Sequence, residues 1–343
     1  MSDNNNLPQK RDSAELALHK TRSLLSITNK ILANKTLVVS DDAWLDELIA
    51  WADEHKIPNY HFDDKKKCWL GFPRDKQAIL AMTKLDLSRH WNSSRNKLTE
   101  LPEFIDKLTT LTELDLRGNQ LIELPKFIGK LTTLTKLDLN GNDLNVLPEF
   151  IGKLTNLIEL HLRGNNFNEI PESIGNLTKL TVLDLSLNLL TELPESIGNL
   201  ADLTEMSLVD NILTKLPESI GKLTNLTVLS LGGNQLTELP ESIGNLTNLT
   251  ALSLGDRLTE LPESIGKLTN LTELSLNDNQ LTELPESIGK LTNLTELYLD
   301  NNQLTELPES IGKLVNLTTL DLRDNPIKSL PPELSHLDNI TYI

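Results

Sequence analysis

The chain has 343 residues and a formal net charge of −17, with 38% hydrophobic but only 4% aromatic residues. A surface this acidic repels nucleic-acid phosphates, so we expect no nucleic-acid partner. No apolar stretch approaches the roughly 18 residues of a membrane-spanning helix, so we expect no transmembrane segment. The single cysteine excludes a disulfide within the chain and fits a reducing compartment.

The residues that precede the repeats carry little of the net charge. Residues 1–12 are polar, lack the apolar core of a secretory signal and are expected to be disordered. Residues 13–33 show leucines at helical spacing with basic residues between them. We interpret 13–68 as an α-helical N-terminal cap, because every solenoid must cover its first repeat. The alternatives are a docking or membrane-surface element and, for residues 1–33, a delivery signal.

A second helix is predicted within this region over residues 41–56. An aspartate at position 41 or 42 provides the N-cap, and Trp44, Leu48 and Trp51 fall on one side at helical spacing. We expect this side to cover the start of the repeats.

A pattern of 23 residues fills the chain from residue 69 to residue 343. It reads L-x-x-L-x-L-x-x-N-x-L-x-x-L-P-x-x-I-G-x-L-x-x, and we number its positions from the first leucine. An early copy at Met82 contains six extra residues, and a half-copy with Trp69, Phe72, Pro73 and Ile79 precedes it. The remaining copies, which bring the total to about eleven, begin at Leu111, Leu134, Leu157, Leu180, Leu203, Leu226, Leu249, Leu271, Leu294 and Leu317.

The pattern predicts one short strand and one helical turn in each copy. Apolar residues alternate with polar ones around positions 3 to 6, which is typical of a strand with one buried face. The later Pro-Glu-x-Ile-Gly-Lys segment favours a helical turn, with proline near its start and glycine near its end. A helical turn is wider than a strand, so stacked copies should curve with the strands on the concave side.

These residues resemble the leucine-rich repeat of the 23-residue class, found in bacteria and in Ras-group intracellular proteins. The resemblance covers residues 69–343 and implies a curved α/β solenoid of about eleven repeats with a concave parallel β-sheet. It implies protein binding more strongly than any particular chemistry.

The asparagine at position 9 is the one polar residue that the pattern buries. Its amide is suited to pair backbone groups where the chain leaves the strand, and the same bonds should recur from copy to copy. The copy at Leu249 reads "LGDRL" and lacks one residue, the place of this asparagine. We therefore expect a local irregularity there, with faster amide exchange than in adjacent repeats.

The sequence offers no convincing catalytic or metal site. His55, His61 and Cys68 lie close together, but their spacing matches no zinc signature. The glycines recur every 23 residues as helix ends and form no phosphate-binding loop. We expect no enzyme activity, no metal and no cofactor.

The outward-facing positions vary between copies and supply the candidate binding residues. From Leu111 onward, positions 3, 5, 7 and 8 contain fourteen acidic and four basic side chains, so we expect an acidic concave face. One predicted patch is apolar and comes from three consecutive copies: Val182, Leu187, Leu189, Val209, Ile212 and Val228. The other candidates are polar: Arg117, His161 and Arg163 toward the amino-terminal end, and Tyr298, Asp300, Arg323 and Asp324 toward the carboxy-terminal end.

These patterns together predict a cytoplasmic, monomeric scaffold that binds a protein on its acidic concave face. The partner is expected to have a basic surface, and the Ras-group resemblance suggests a small GTPase or a signalling protein. Two alternatives remain open. The first is a bacterial effector that acts in the cytosol of a host cell. The second is the targeting arm of a larger enzyme truncated after residue 343. Neutral drift is the alternative explanation of the apolar patch.

Overall fold

A computed structural model describes residues 42–57, 59, 61–63, 68–88, 97–255, 257–332, 334 and 340–341. The chain divides into two compact units, residues 1–44 and 45–343, and only residues 42–44 of the first are described. The predicted disorder of residues 1–12 and the predicted helix of residues 13–33 lie outside the described residues.

Helix α1 spans Ala43–Glu54 and confirms the helix predicted over residues 41–56. Its buried stripe consists of Leu45, Leu48 and Ala52. Trp44 and Trp51, which we predicted to lie on the same side as Leu48, are only half-buried. The buried side of the helix is therefore turned by one residue from the predicted one, toward Leu45 and Ala52.

Arg74 ties helix α1 to the segment that leads into the repeats. Its guanidinium pairs with Asp53 at 2.8 Å and donates to the carbonyl of Ile57 at 2.8 Å. Lys76, at the start of helix α2 (Lys76–Leu80), pairs with Asp46 at 2.8 Å. These contacts place α1 beside residues 72–76, and its role as a cap remains a prediction.

The residues between the two helices are not all helical. Strands β1 (His61–Asp63) and β2 (Cys68–Leu70) form a separate antiparallel pair. The half-copy therefore contributes helix α2 and the buried side chains of Phe72 and Ile79, while its strand β2 stays out of the main sheet.

Among the described residues, the main sheet contains twelve parallel strands in sequence order, in one curved, open arrangement. Each strand pairs with the next copy position by position, so residues at the same repeat position form continuous rows across the sheet. After β3 (Lys84–Asp86), the strands are β4 Glu113–Asp115, β5 Lys136–Asp138, β6 Glu159–His161, β7 Val182–Asp184, β8 Glu205–Ser207, β9 Val228–Ser230, β10 Ala251–Ser253, β11 Glu273–Ser275, β12 Glu296–Tyr298, β13 Thr319–Asp321 and β14 Ile340–Thr341.

The helical turns are confirmed, and they are 3₁₀ helices of five residues. Each follows a proline in extended conformation and closes with bonds from residue i+3 to residue i, such as Ile128 N to Pro125 O at 3.0 Å. They span Glu103–Lys107, Lys126–Lys130, Glu149–Lys153, Glu172–Asn176, Glu195–Asn199, Glu218–Lys222, Glu241–Asn245, Glu263–Lys267, Glu286–Lys290 and Glu309–Lys313.

The glycines lie near the ends of these turns, as predicted, and they are also contact points between copies. A Cβ on Gly152 would lie 2.5 Å from the carbonyl oxygen of Ser173 in the next turn. The same close approach recurs at Gly221, where a Cβ would lie 2.5 Å from Ser242 O. Glycine is required because neighbouring backbones touch at this position.

The predicted asparagine ladder is present and connects neighbouring copies. Asn188 accepts a hydrogen bond from Phe167 N at 3.2 Å and donates to the carbonyls of Leu185 at 2.9 Å and Leu162 at 3.1 Å. Each buried amide thus satisfies backbone groups of two copies. The other members are Asn119, Asn142, Asn165, Asn211, Asn234, Asn279, Asn302 and Asn325.

The ladder is interrupted at the shortened repeat, residues 249–270. Leu213 N and Leu258 N each donate to an asparagine of the following copy at 3.0 Å. Within the described part of the chain, the equivalent Leu236 N has no acceptor, although Leu236 is only 2% exposed. Asp256 lies outside the described residues.

Candidate protein-binding surface

The outward face of the sheet is formed by the rows at positions 3, 5 and 7 and, in the turn, by positions 8 and 10, which flank the buried asparagine. The inward apolar residues of strands β3 to β13 are buried, and the residues between them on the outward face are half-buried, except for the buried Asp138 and Asp321. The surface is therefore a grid in which a neighbour along the sheet comes from the next copy. The three groups of candidate residues occupy different parts of this grid.

Arg117 joins two strands of the amino-terminal part through its guanidinium. Its Nη2 lies 2.5 Å from Asp115 Oδ2 and its Nε lies 3.2 Å from Asp138 Oδ2. The hydrogen bond to Asp115 raises the pKa of Arg117. The side chain is half exposed, so it holds this position while remaining open to solvent.

Asp138 is the most deeply placed acid of this group, since only 5% of it is exposed. Burial raises its pKa to about 6, against the effects of the Asn140 backbone amide and of Arg117. The carboxylate accepts a bond from Asn140 N at 3.1 Å. Sequence reasoning did not select Asp138, although its place in a row of aspartates is visible in the repeat register.

His161 and Arg163 lie on the next copy but do not join the Arg117 contact. His161 Nε2 lies 3.3 Å from Glu159 Oε2, and Lys136 also pairs with this carboxylate. The hydrogen bond from Lys136 is the main cause that lowers the pKa of Glu159. The backbone amide of Arg163 donates to Asn140 Oδ1 at 2.7 Å, and its side chain is exposed.

Four of the six apolar candidates lie in the two neighbouring turns that follow strands β7 and β8. Leu187 N donates to Val209 O at 2.8 Å, which makes these two residues neighbours on adjacent copies. Leu189 and Ile212 occupy the same position 10 of the same two copies. Leu187, Leu189 and Ile212 are 42%, 49% and 38% exposed. We call Leu187, Leu189, Val209 and Ile212 the turn ridge.

The other two apolar candidates lie apart from the turn ridge. Val182 and Val228 begin strands β7 and β9, and Glu205 is paired between them in register. Both valines are half-buried. The single patch expected from the sequence is thus divided. The length of the strands separates the two valines from the turn ridge, and Glu205 separates the valines from each other.

Leu187 adopts an unusual backbone conformation, with φ at 53°. Every other described residue at position 8 that has positive φ is glycine, aspartate or asparagine, such as Gly164, Asp210 and Asn301. A leucine in the left-handed region is strained by about 1–2 kcal/mol. Sequence reasoning missed this strain, although the residue types in the column give the signal.

The carboxy-terminal candidates lie together on two adjacent copies. Tyr298 pairs in register with Asp321, and Asn301 N donates to Arg323 O at 2.9 Å. Arg323 holds Asp321 through Nη2 at 2.5 Å, and this hydrogen bond is the main cause that lowers the pKa of Asp321. Tyr298 donates to Glu296 at 2.5 Å, which raises the pKa of Tyr298. Burial raises the pKa of Asp300, and Asp324 is an exposed turn residue.

The described residues contain no cluster of three or more histidine, cysteine or acidic side chains arranged to hold a metal ion. Within the same part of the chain, no helix has the length and apolarity needed to cross a membrane.

Comparison with known families agrees with the repeat and with the observed fold. A model described as a leucine-rich repeat region matches residues 127–214, 149–231 and 206–299. Two further leucine-rich repeat models match residues 292–343 and 107–123. The chain belongs to the leucine-rich repeat family.

Solved leucine-rich repeat structures share the fold at low sequence identity. The functional domain of InlJ from Listeria monocytogenes is 29% identical with a TM-score of 0.65, over 80% of this chain and 54% of that one. The Arabidopsis receptor kinase HAESA, in complex with the peptide hormone IDA and the co-receptor SERK1, is 27% identical with a TM-score of 0.67, over 89% and 53%. Toll, in the Drosophila Toll–Spatzle complex, is 26% identical with a TM-score of 0.57, over 72% and 39%.

The chain spans about half the length of the first two of these structures. No match is found among curated protein sequences. The leucine-rich repeat neighbours are protein-interaction modules, and families with this fold are generally not enzymes.

Proposed function

We propose that this leucine-rich repeat chain is a non-catalytic protein-interaction module whose partner contacts the turn ridge. The observation that carries the proposal is Leu187, which is strained and exposed at once. Neither property helps the chain to fold, because glycine, asparagine or aspartate would fit this turn without strain and without exposing apolar surface. Exposed apolar residues surrounded by polar ones are typical of protein-binding surfaces.

The charge of the surrounding face favours a partner with a basic surface. Asp184 ends strand β7, just before the turn of Leu187, and Asp210 follows Val209 in the next turn. Opposite charges around an apolar contact would orient the partner and speed its approach. With the Ras-group resemblance, these features support a cytoplasmic small GTPase or signalling protein as the partner.

A second candidate is a bacterial effector that binds a protein in the host cytosol, favoured by the likeness to the InlJ domain of Listeria monocytogenes. A targeting arm of a longer enzyme is the remaining candidate. Both candidates use the same turn ridge, so the next experiment applies to each.

Affinity capture from the source cells tests the proposal with the double variant Leu187→Asp and Val209→Asp. Both changes copy aspartates that other repeats carry at these positions, Asp210 and Asp300, so the array should fold normally. We expect the amount of captured partner to fall by at least about 90%, because the two aspartates would place charges in an apolar contact that binding buries.

The matched control is Ile122→Asp with Val315→Asp, two exposed apolar residues outside the ridge. This variant adds the same charge and should capture the partner at the wild-type level. Equal capture by both double variants would refute the turn ridge as the binding surface.

A further inference from the structure

A cavity of about 680 Å³ lies over the amino-terminal end of the sheet. One wall comes from the segment before strand β3 and includes Pro73, Ala78 and Met82. The floor comes from the outward residues of strands β3 to β5. A volume of this size is typical of ligand pockets in proteins.

The floor of the cavity contains a row of three aspartates. Asp86 pairs in register with Asp115, and Asp115 pairs with Asp138. Neighbouring parallel strands are about 4.8 Å apart, so consecutive carboxylates can be bridged by one planar cation.

One pair of neighbouring aspartates in this row, Asp115 and Asp138, is already bridged by a guanidinium of the chain itself. Arg117 lies 2.5 Å from Asp115 and 3.2 Å from Asp138. For the preceding pair, Asp86 and Asp115, the residue at the position equivalent to Arg117 is Ser88. Ser88 donates to Asp86 Oδ1 at 2.5 Å and brings no charge.

The other cations of the cavity are paired elsewhere. Lys84 contacts Glu113 at 2.7 Å, and Lys136 contacts Glu159 on the far side of the floor. The row of three aspartates therefore keeps an excess of negative charge, because Arg117 is the one described cation that bridges its members. Asp138, nine-tenths buried, accepts a hydrogen bond from Asn140 N through Oδ1, and its Oδ2 forms the ion pair with Arg117.

From this repetition we infer that the cavity receives an arginine side chain of the protein partner, seated across Asp86 and Asp115 as Arg117 is seated across Asp115 and Asp138. The inference rests on the proposed function. A guanidinium can bind both carboxylates through parallel N–H groups, which an ammonium cannot do in one plane. The methylene groups of the arginine contact Met82 and Pro73 on the apolar wall.

The probe for this site is N-acetyl-L-arginine N-methylamide, titrated into protein labelled with ¹³C at its methionine methyl groups. The chain has three methionines, of which Met82 lines the cavity and Met206 lies in the core of a distant copy. We expect a saturable shift of the Met82 signal and no shift of the Met206 signal. The matching lysine and norleucine compounds should bind several-fold more weakly.

Two variants distinguish the aspartate row from general surface charge. Asp86 and Asp184 each accept hydrogen bonds from the serine two residues later, at 2.5 and 2.6 Å, but only Asp86 lines the cavity. Asp86→Asn should weaken arginine binding at least about five-fold, because it removes one of the two charges that the guanidinium contacts. Asp184→Asn should leave the binding unchanged, and an unaltered far-ultraviolet circular dichroism spectrum reports that both variants are folded.

A Met82 signal that does not move, or equal arginine binding by Asp86→Asn and the wild type, would overturn the inference. Equal binding of the arginine and lysine compounds would also overturn it. The proposed function fails separately, when the Leu187→Asp, Val209→Asp variant still captures the partner. If the cavity binds arginine but capture does not depend on the turn ridge, the proposed function is wrong. If capture depends on the turn ridge but the cavity does not bind arginine, the further inference is wrong.

Discussion

Two copies of the repeat depart from the common pattern at the same turn, and they do so in opposite ways. The copy of residues 180–202 keeps its asparagine, Asn188, and all the bonds of that side chain, but places a leucine where the backbone is left-handed. The copy of residues 249–270 lacks the asparagine, and Leu236 N has no acceptor among the described residues. One turn is intact but strained, and the other has lost hydrogen bonds.

The difference separates a surface feature from a structural weakness. At Leu187 the strain is confined to one exposed residue, while the hydrogen bond from its amide to Val209 O remains. At the shortened repeat the bond from position 8 of one copy to position 7 of the next is also missing between Gly233 and Gly255. We therefore expect the first turn to matter for binding and the second for stability.

The largest effect should come from removing an asparagine from a regular copy. Asn302→Ala deletes the bonds with Leu281 N, Leu276 O and Leu299 O, and recreates the defect of the shortened repeat. We expect the free energy of unfolding to fall by about 3 kcal/mol, at roughly 1 kcal/mol for each bond. Urea unfolding measures this change, and a loss below about 1 kcal/mol would mean that the ladder is not a major stabilising element.

A smaller gain should follow from repairing the shortened copy. Insertion of an asparagine between Asp256 and Arg257 restores the 23-residue length and offers an acceptor to Leu236 N. We expect the free energy of unfolding to rise by about 2 kcal/mol, because a buried donor regains its partner. An alanine inserted at the same place is the control. If alanine stabilises as much as asparagine, the length of the copy and not the amide is responsible.

The smallest effect should come from relaxing the strained turn. Leu187→Asn introduces a residue that tolerates positive φ, and should stabilise the protein by about 1 kcal/mol while weakening partner capture. Leu189→Asn, on an equally exposed leucine without positive φ, should weaken capture without this gain. Thermal unfolding compares the two variants. Equal stability of both would show that the Leu187 backbone is not under strain.

The repeat allowed most of the fold to be predicted, because its periodicity records burial directly. The strands, the buried leucines and the role of the asparagine follow from the spacing of apolar and amide residues. The form of the helical turns does not follow, because it depends on the close approach of Gly152 to Ser173 in the next copy. That approach depends on how the copies stack, and the sequence of a single copy does not show the stacking.

The candidate surface was less predictable because it depends on contacts between copies. Sequence position alone grouped Val182 and Val228 with Leu187, and the register of the sheet places Glu205 between the two valines. The cavity over Asp86 was missed because its apolar wall comes from residues that precede the first full copy. The strain at Leu187 could have been found, since glycine, aspartate and asparagine dominate its column.

Amide hydrogen exchange measured residue by residue in the free protein tests the contrast between the two turns most directly. We predict that Leu236 exchanges at least about tenfold faster than Leu213 and Leu258, the equivalent residues that donate to asparagine. Leu187, whose amide is bonded to Val209 O, should exchange as slowly as Asp210, whose amide is bonded to Gly232 O. Equal protection of Leu213, Leu236 and Leu258, or rapid exchange at Leu187, would contradict this account.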